Sequence, residues 1–445
     1  MSQSQVVTKA TRRKALIASL IGSTIEWYDY LIYGTVASLV FNKLFFPNFD
    51  PIIGILLAYA SFGIPFFIRP FGGAIFSHIG DKIGRKKTLV LTLSIMGLAT
   101  MLIGLLPDYN TIGIWAPILL VLLRVVQGFG IGGEWGGALL LAVEYSSKEN
   151  RGLFGSIPQM GVPLGMLLGT LSISLISFLS EEQFLEWGWR IPFILSAVLV
   201  FVGLWIRNGV DETPAFQLAK ESGNIAKLPI IDTFKYHWKS VVITIGIKFV
   251  ESAPFYIFTV FVISYGTKNL NFDKVTILNA ITIGTILAAL VIPLAGTLSD
   301  RVGRKLLFIY GTIAMILFSF PYFFLLSLES SLWIIVATSI GLCIYGVLAA
   351  VMGTLFSEIF STTVRYTGVT MGYQIGGALA GGTAPLIATT LLSIYNNSWI
   401  PIAIYIFLVG IISLVSIMLV RETKDTNFSE SVIELSPTTQ NKIKM

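Results

Sequence analysis

Gly80-Asp81-Lys82-Ile83-Gly84-Arg85-Lys86 and Ser299-Asp300-Arg301-Val302-Gly303-Arg304-Lys305 are near-copies standing 219 residues apart in a chain of 445. Each follows a long apolar run and opens another. Working outward, Glu144 and Arg151, seven apart, recur as Glu358 and Arg365 with an offset of 214. Asp211-Glu212-Thr213 recurs as Arg421-Glu422-Thr423 with an offset of 210. Three features keep their order and nearly their spacing, so the chain reads as two parallel halves. That is the organisation of a carrier whose halves rock about a site at the membrane midplane.

The solvent for these halves is lipid. Charged residues make up 12% of the sequence and hydrophobic residues 54%, against about 25% charge in an ordinary soluble domain. A helix needs about 20 apolar residues to cross the hydrocarbon core. Such runs fall at 15–40, 52–77, 88–106, 112–142, 152–179, 190–207, 241–265, 276–298, 306–326, 332–356, 368–394 and 400–420. They are far too long for barrel strands, so the expectation is an all-α integral membrane protein of twelve transmembrane helices in two pseudo-symmetric six-helix bundles. The bundles divide as 1–207 and 241–420, with a linker at 208–240 and a tail at 421–445.

Charge placement gives the topology. Of 30 Lys and Arg residues, only Lys43, Arg190, Lys268 and Lys274 fall in the odd-numbered loops, and Arg69, Arg124 and Lys248 fall within spans. The rest sit on the side of the termini, which predicts a multi-pass protein of the cell membrane with both termini cytoplasmic. The basic residues form short clusters rather than a face, so the net charge of +6 implies no nucleic-acid partner. The basic start before the first run is followed by Glu26 and Asp29 and by no small-x-small cleavage site, so that run reads as a span and not as a removed signal. One cysteine, Cys343, and two isolated histidines, His78 and His237, build neither a disulfide framework nor a metal site. No phosphate-cradling G-x-x-x-x-G-K-[ST] loop is present, so the expected drive is an ion gradient or the solute's own gradient, with no cofactor.

Several stretches resemble the major facilitator superfamily over the whole chain. The Asp81 loop is similar to that family's element between helices two and three, with Ser77 where the element usually opens on glycine. Arg124-Val125-Val126-Gln127-Gly128 resembles its R-x-x-Q-G signature. Glu26-Trp27-Tyr28-Asp29-Tyr30, Arg69-Pro70-Phe71-Gly72-Gly73, Gly132-Gly133-Glu134-Trp135-Gly136-Gly137 and Trp187-Gly188-Trp189-Arg190-Ile191-Pro192-Phe193 look like its metabolite:H+ symporter branch, which includes shikimate, 2-oxoglutarate, citrate and proline/betaine carriers. Glu182-Gln183-Phe184 leading into Trp187, and Gly372-Tyr373-Gln374 leading into Gly381, are most similar to the shikimate carriers of that branch. The resemblance implies proton symport of a small metabolite; no obligate protein partner is evident in the sequence, and a monomer is the expectation.

Ionisable side chains at membrane depth usually face a cavity and have a partner. Glu26, Asp29, Tyr30 and Tyr33 recur at helical spacing on span one. Two nearby carboxylates raise each other's proton affinity, so Asp29 and Glu26 are proton candidates, or else permanent partners of Arg124 or Arg69. Arg124 and Gln127 lie one turn apart on span four. The arginine suits a solute carboxylate through a bidentate fork, and the family signature implies a coupling role for it. Glu134 is a further coupling candidate, or a packing position among its glycines. On span seven Lys248 either pairs inertly with Glu251, three residues on, or meets a solute anion opposite Arg124, and Glu251 is a further proton-coupling candidate. Gln159, Tyr373 and Gln374 could orient a polar solute or merely tie helices together. Arg69, beside Pro70, reads as structural. Asp81, Arg85, Glu144, Arg151, Asp300, Arg304, Glu358 and Arg365 read as a cytoplasmic gate that holds the halves together in one conformation, or as plain topology anchors.

No catalytic cluster or sizeable soluble domain accompanies the spans, so an enzyme or receptor is disfavoured. The leading expectation is proton-coupled import of a small polar metabolite, an organic acid such as shikimate, by alternating access. Uptake of a zwitterionic osmolyte and drug or metabolite export by antiport are the alternatives. The short tail from Arg421 shows no heptad, which removes osmosensing through a coiled coil.

Overall fold

In lipid each backbone amide must be satisfied within its own helix, and the computed structural model is helical throughout the described residues, without a strand among them. The structure describes residues 9–48, 51–83, 85–176, 178–209, 229–360 and 364–424. The side chains of Asp81, Arg85 and Glu144, and the segment Asp211-Glu212-Thr213, lie outside the described residues.

Span one is α1 (Lys9–Val36), continued by a π-helical segment at Ala37–Phe41. Spans two and three are α2 (Pro51–Ile83) and α3 (Arg85–Leu105). The single fourth run, 112–142, is in fact two helices, α4 (Trp115–Gly132) and α5 (Trp135–Glu144), which meet at Gly133-Glu134. The fifth is α6 (Arg151–Ser156) and α7 (Gly161–Ile176), separated by a 3-10 turn at Pro158–Met160. Apolar continuity fixes a span, but glycine pairs and prolines fix where it breaks. Span six is α8 (Ile191–Asn208).

The expected linker contains a helix of its own, α9 (Pro229–Tyr236), with Ile231, Phe234 and Tyr236 exposed and Thr233 buried. Two amphipathic turns are too short to register as a span. Span seven is α10 (Trp238–Tyr256), a π segment at Ile257–Phe261 and α11 (Val262–Lys268). Then come α12 (Lys274–Val302), α13 (Arg304–Leu326) and α14 (Ser331–Ile359). Span eleven is α15 (Arg365–Gly376), a π segment at Gly377–Gly382 and α16 (Ala384–Ile394), and α17 (Ile400–Met418) is the twelfth. Eleven spans among the described residues are long and apolar enough to cross a membrane by hydropathy. Span one falls short because Glu26 and Asp29 dilute it, yet its Leu31, Ile32 and Val36 are fully buried in the bundle.

The duplication reaches the backbone. The π segments of spans one and seven start at Ala37 and Ile257, 220 residues apart, close to the 219 of the repeated charge motif. The breaks of spans five and eleven also correspond, at Gly161 and Gly377. The halves approach closely where α6 meets α12: a methyl group on Gly152 would run into the Ser299 hydroxyl and stand 2.6 Å from the Gly296 carbonyl oxygen. Small residues allow that approach.

Candidate functional site

The cavity between the halves is built on two irregular helices. In α2, Pro65 and Pro70 bracket Phe66 and Arg69, one turn apart. In α10, Lys248 and Glu251 precede Pro254 and the π segment. These four side chains line the cavity together with Trp27, Tyr256, Tyr345, Tyr373 and Gln374. Its volume is about 10 Å³, room for roughly one water, so a metabolite enters only when the lining draws apart.

Arg69 is the cation that the sequence reading assigned to structure. It is 2% exposed and belongs to no ion pair among the described residues. Its Nε and Nη2 are buried without a hydrogen-bond partner. What holds it is aromatic: its Cζ stands 4.2 Å from the Tyr30 ring centre, 4.4 Å from Phe66 and 5.5 Å from Trp27. Cation–π attraction stabilises a guanidinium while leaving its fork available. Opposite, Lys248 pairs with Glu251 and lies 3.6 Å over the Tyr373 ring. Tyr373 in turn stacks on Trp135 of the other half, with ring centres 3.5 Å apart and planes 16° apart.

Arg124 stands elsewhere, which corrects its expected place opposite Lys248. It does not line the cavity. Its guanidinium donates to Gln127 Oε1, to Phe62 O at 3.0 Å and to Ser61 O at 3.3 Å, and lies 3.7 Å over the Tyr33 ring. Gln127 is taken up by the Thr100 hydroxyl at 2.8 Å and the Asp29 carbonyl at 3.2 Å. Tyr33 shares a 2.6 Å hydrogen bond with Ser61. Helical spacing puts these groups on adjacent faces, but backbone carbonyls of α2 near its prolines satisfy them first.

The polar stripe of span one also divides. Tyr30 packs on Arg69 at the cavity wall, and Glu26 lies near enough to act electrostatically on Tyr373. Asp29 turns away from the cavity, towards the hydroxyls of Thr100 and Ser196 and the carboxylate of Glu134. It is fully buried, in no ion pair among the described residues, and makes no hydrogen bond within 3.5 Å through either carboxylate oxygen. Its alternative reading as a partner of Arg124 or Arg69 is therefore set aside. Glu134, fully buried, sits at the break between α4 and α5.

Both ends of the cavity are closed. Towards the end bearing the charge motifs, Gln159 accepts from the Trp135 indole at 2.9 Å and donates across the halves to Ala349 O at 3.1 Å. Gln374 donates to Gly132 O at 3.3 Å, and the Tyr366 hydroxyl to Gly133 O at 2.9 Å. Beyond them Glu358 receives Arg151 at 3.2 Å and Arg304 at 3.5 Å. Asp300 pairs with Arg304 at 2.8 Å and accepts the backbone N–H groups of Gly152 and Leu153 at 2.8 and 3.0 Å. Arg365 donates instead to the carbonyls of Ser357 and Phe360, closing the end of α14.

A residue that sequence reasoning missed completes this cluster: Thr423 donates to Glu358 at 2.6 Å. Beside it, Glu422 accepts the N–H groups of Arg304 and Lys305 at the start of α13, at 2.8 and 3.1 Å. The recurrence of Arg421-Glu422-Thr423 was the available signal.

At the opposite end the Tyr59 hydroxyl bonds Ser264 at 2.9 Å, and the Lys274 ammonium sits 3.7 Å over Phe184. There a 2.8 Å hydrogen bond from Lys43 holds the Glu181 carboxyl below the usual carboxylate range.

The sequence profile of the Major Facilitator Superfamily matches residues 15–382. The chain is 41% identical to the shikimate transporter of Escherichia coli over 93% of its own length and 95% of that protein's. It is 37% identical to the proline/betaine transporter of Salmonella typhimurium, over 94% of this chain and 85% of that one. The solved structure of the proton:xylose symporter XylE bound to 6-bromo-6-deoxy-D-glucose superposes with a TM-score of 0.75 at 18% identity, covering 94% of this chain and 98% of that one. With its two six-helix halves closed about a charged central cavity, the chain belongs to the Major Facilitator Superfamily, a transporter and not an enzyme.

Proposed function

We propose that the protein imports a small organic acid together with a proton, and that the solute carboxylate is held between Arg69 of the first half and Lys248 of the second. The observation that carries this reading is the composition of the cavity wall. It offers two cations, one carboxylate and six aromatic rings, with one guanidinium ion-paired to nothing among the described residues. With Arg69 and Lys248 charged and Glu251 ionised, the wall of the solute-free site carries one net positive charge, which draws in an anion. Aromatic faces suit a compact ring or carbon chain, and Gln374 and the phenols suit its hydroxyls. Relatives named for shikimate and for proline and betaine bracket the substrate class.

The zwitterionic osmolyte remains the second reading, since aromatic cages bind quaternary ammonium. The two cations on the wall oppose it. Export of apolar drugs fits this polar wall least.

In this reading the end with the charge motifs is cytoplasmic, with both termini there, in a monomer needing only the proton gradient. Residues 1–207 and 241–420 are the moving halves. Arg151, Asp300, Arg304, Glu358 and Arg365, with Asp81, Arg85 and Glu144, form the inner gate. Asp29, Glu26 and Glu134 are proton-carrying candidates of the first half, with Arg124 and Gln127 setting the geometry around Asp29.

Proteoliposomes given shikimate, 2-oxoglutarate, citrate, proline and betaine under an imposed pH gradient test it. Accumulation of an acid, driven by an acidic outside and competed by other acids, is expected. Accumulation of betaine or proline alone, or uptake indifferent to the gradient, refutes it.

A further inference from the structure

Lys248 faces two claimants. Its ammonium has three donors, and Glu251, one turn along the same helix, occupies it at close range with both side chains about 4% exposed. Both also line the cavity. A solute carboxylate drawn to Arg69 and Lys248 therefore comes to rest beside the Glu251 carboxylate. Two carboxylates on one ammonium in a desolvated site cannot both stay ionised without cost, and each raises the proton affinity of the other.

We propose that Glu251 is the group on which solute and proton are coupled, by exchange of partners on Lys248. This deepens the reading of the cavity as a carboxylate site and rests on it. When the site faces the acidic side, Glu251 takes a proton from hydronium, whose O–H bond breaks to leave water as the Glu251 O–H bond forms, and Lys248 is released. The solute carboxylate then occupies Lys248 and Arg69. On the other side the O–H bond breaks, the proton returns to water, and the re-ionised Glu251 reclaims Lys248 and displaces the solute. The only bonds made or broken are O–H bonds, that of Glu251 and that of the hydronium which brings or carries away the proton.

The surroundings favour this assignment. The charged and titratable groups acting on the pair are Arg69 from α2, Tyr256 of its own helix, Tyr345 from α14 and Tyr373 from α15, with Glu26 of α1 acting on Tyr373. From α17 the hydroxyl of Ser413 faces the Val250 amide and brings no charge. Apart from Glu251, then, no carboxylate lines the cavity among the described residues. Asp29, buried on the far side of span one, cannot touch a solute there. The exchange also reaches the contact between halves, because Lys248 sits on one face of Tyr373 and Trp135 on the other.

The test is solute binding to the purified full-length protein in nanodiscs, with shikimate as probe, measured across pH by calorimetry in buffers of differing ionisation enthalpy. Wild-type protein should bind more tightly as pH falls, taking up close to one proton per solute above the titration of Glu251. Glu251→Gln should bind with an affinity that no longer depends on pH. Should that variant not fold, Asp29→Asn decides: proton uptake on binding persists if the inference holds and disappears if the first half carries the proton. A pH slope unchanged in Glu251→Gln, or no proton uptake by the wild type, overturns the inference while leaving the carboxylate site standing. Failure of the wild type to bind any of the five screened solutes overturns both.

Discussion

Arg69 shows what a single position owes to its surroundings. Nothing acidic lies within helical reach on its own span, whereas Lys248 has Glu251 one turn away. That lack of a local partner was the only trace in the sequence of a guanidinium held by aromatic rings, and Pro70 beside it suggested a structural role instead. Charge-assisted hydrogen bonds are worth about 1.5–3 kcal/mol each. Arg69→Gln should accordingly raise the solute concentration for half-maximal uptake about 10- to 100-fold, with the protein still folded. Arg69→Lys should recover little, because an ammonium lacks the fork and the flat face that the three rings clasp. Uptake kinetics in the two variants check this, and wild-type kinetics in Arg69→Gln would remove Arg69 from the site. Arg124 teaches the reverse: its motif was legible, but the carbonyls of Ser61, four residues before Pro65, and of Phe62 take its donors, a competition that side-chain spacing cannot reveal.

Among the elements, most spans could be read from apolar length, because lipid leaves the backbone no choice. Their interruptions could not, since a π segment costs one residue of register and leaves composition unchanged. The junction of α12 and α13 combines legible and illegible features. Gly303 stands at φ 113° and ψ 154°, a region essentially reserved for glycine, and a methyl group there would come 2.5 Å from the Glu422 carboxylate. Gly303→Ala should destabilise the protein by roughly 1–3 kcal/mol from backbone strain alone, and displace the Glu422 side chain from the start of α13. A lowered midpoint of thermal unfolding in detergent, with slowed transport, is the expected result. The glycine itself was visible in the repeated motif; its reason, a carboxylate arriving from beyond span twelve, was not.

For the whole molecule, the halves are held at one end by Asp300, which spans the interface to the first turn of α6 while pairing with Arg304 in its own half. Asp300→Asn removes the charge from both contacts. If the inner gate is this network, the equilibrium should shift about tenfold or more towards the inward-open form, on the basis of about 1.5–3 kcal/mol per charge-assisted bond. A cysteine placed at Ser156 in a Cys343→Ser background would then react correspondingly faster with a water-soluble maleimide. Equal labelling with and without Asp300→Asn would reduce the network to a topology anchor. The two-half plan behind this prediction was readable from three repeated motifs, but the partners were not. The expected symmetry of signs became, in the second half, a cluster centred on Glu358 that also recruits Thr423.

The matching π segments of spans one and seven carry a record of descent. An extra residue in a helix is a rare event, and two separate insertions at the same depth, 220 residues apart, would require a coincidence. One insertion in an ancestor of half this length, copied when its gene doubled, explains both.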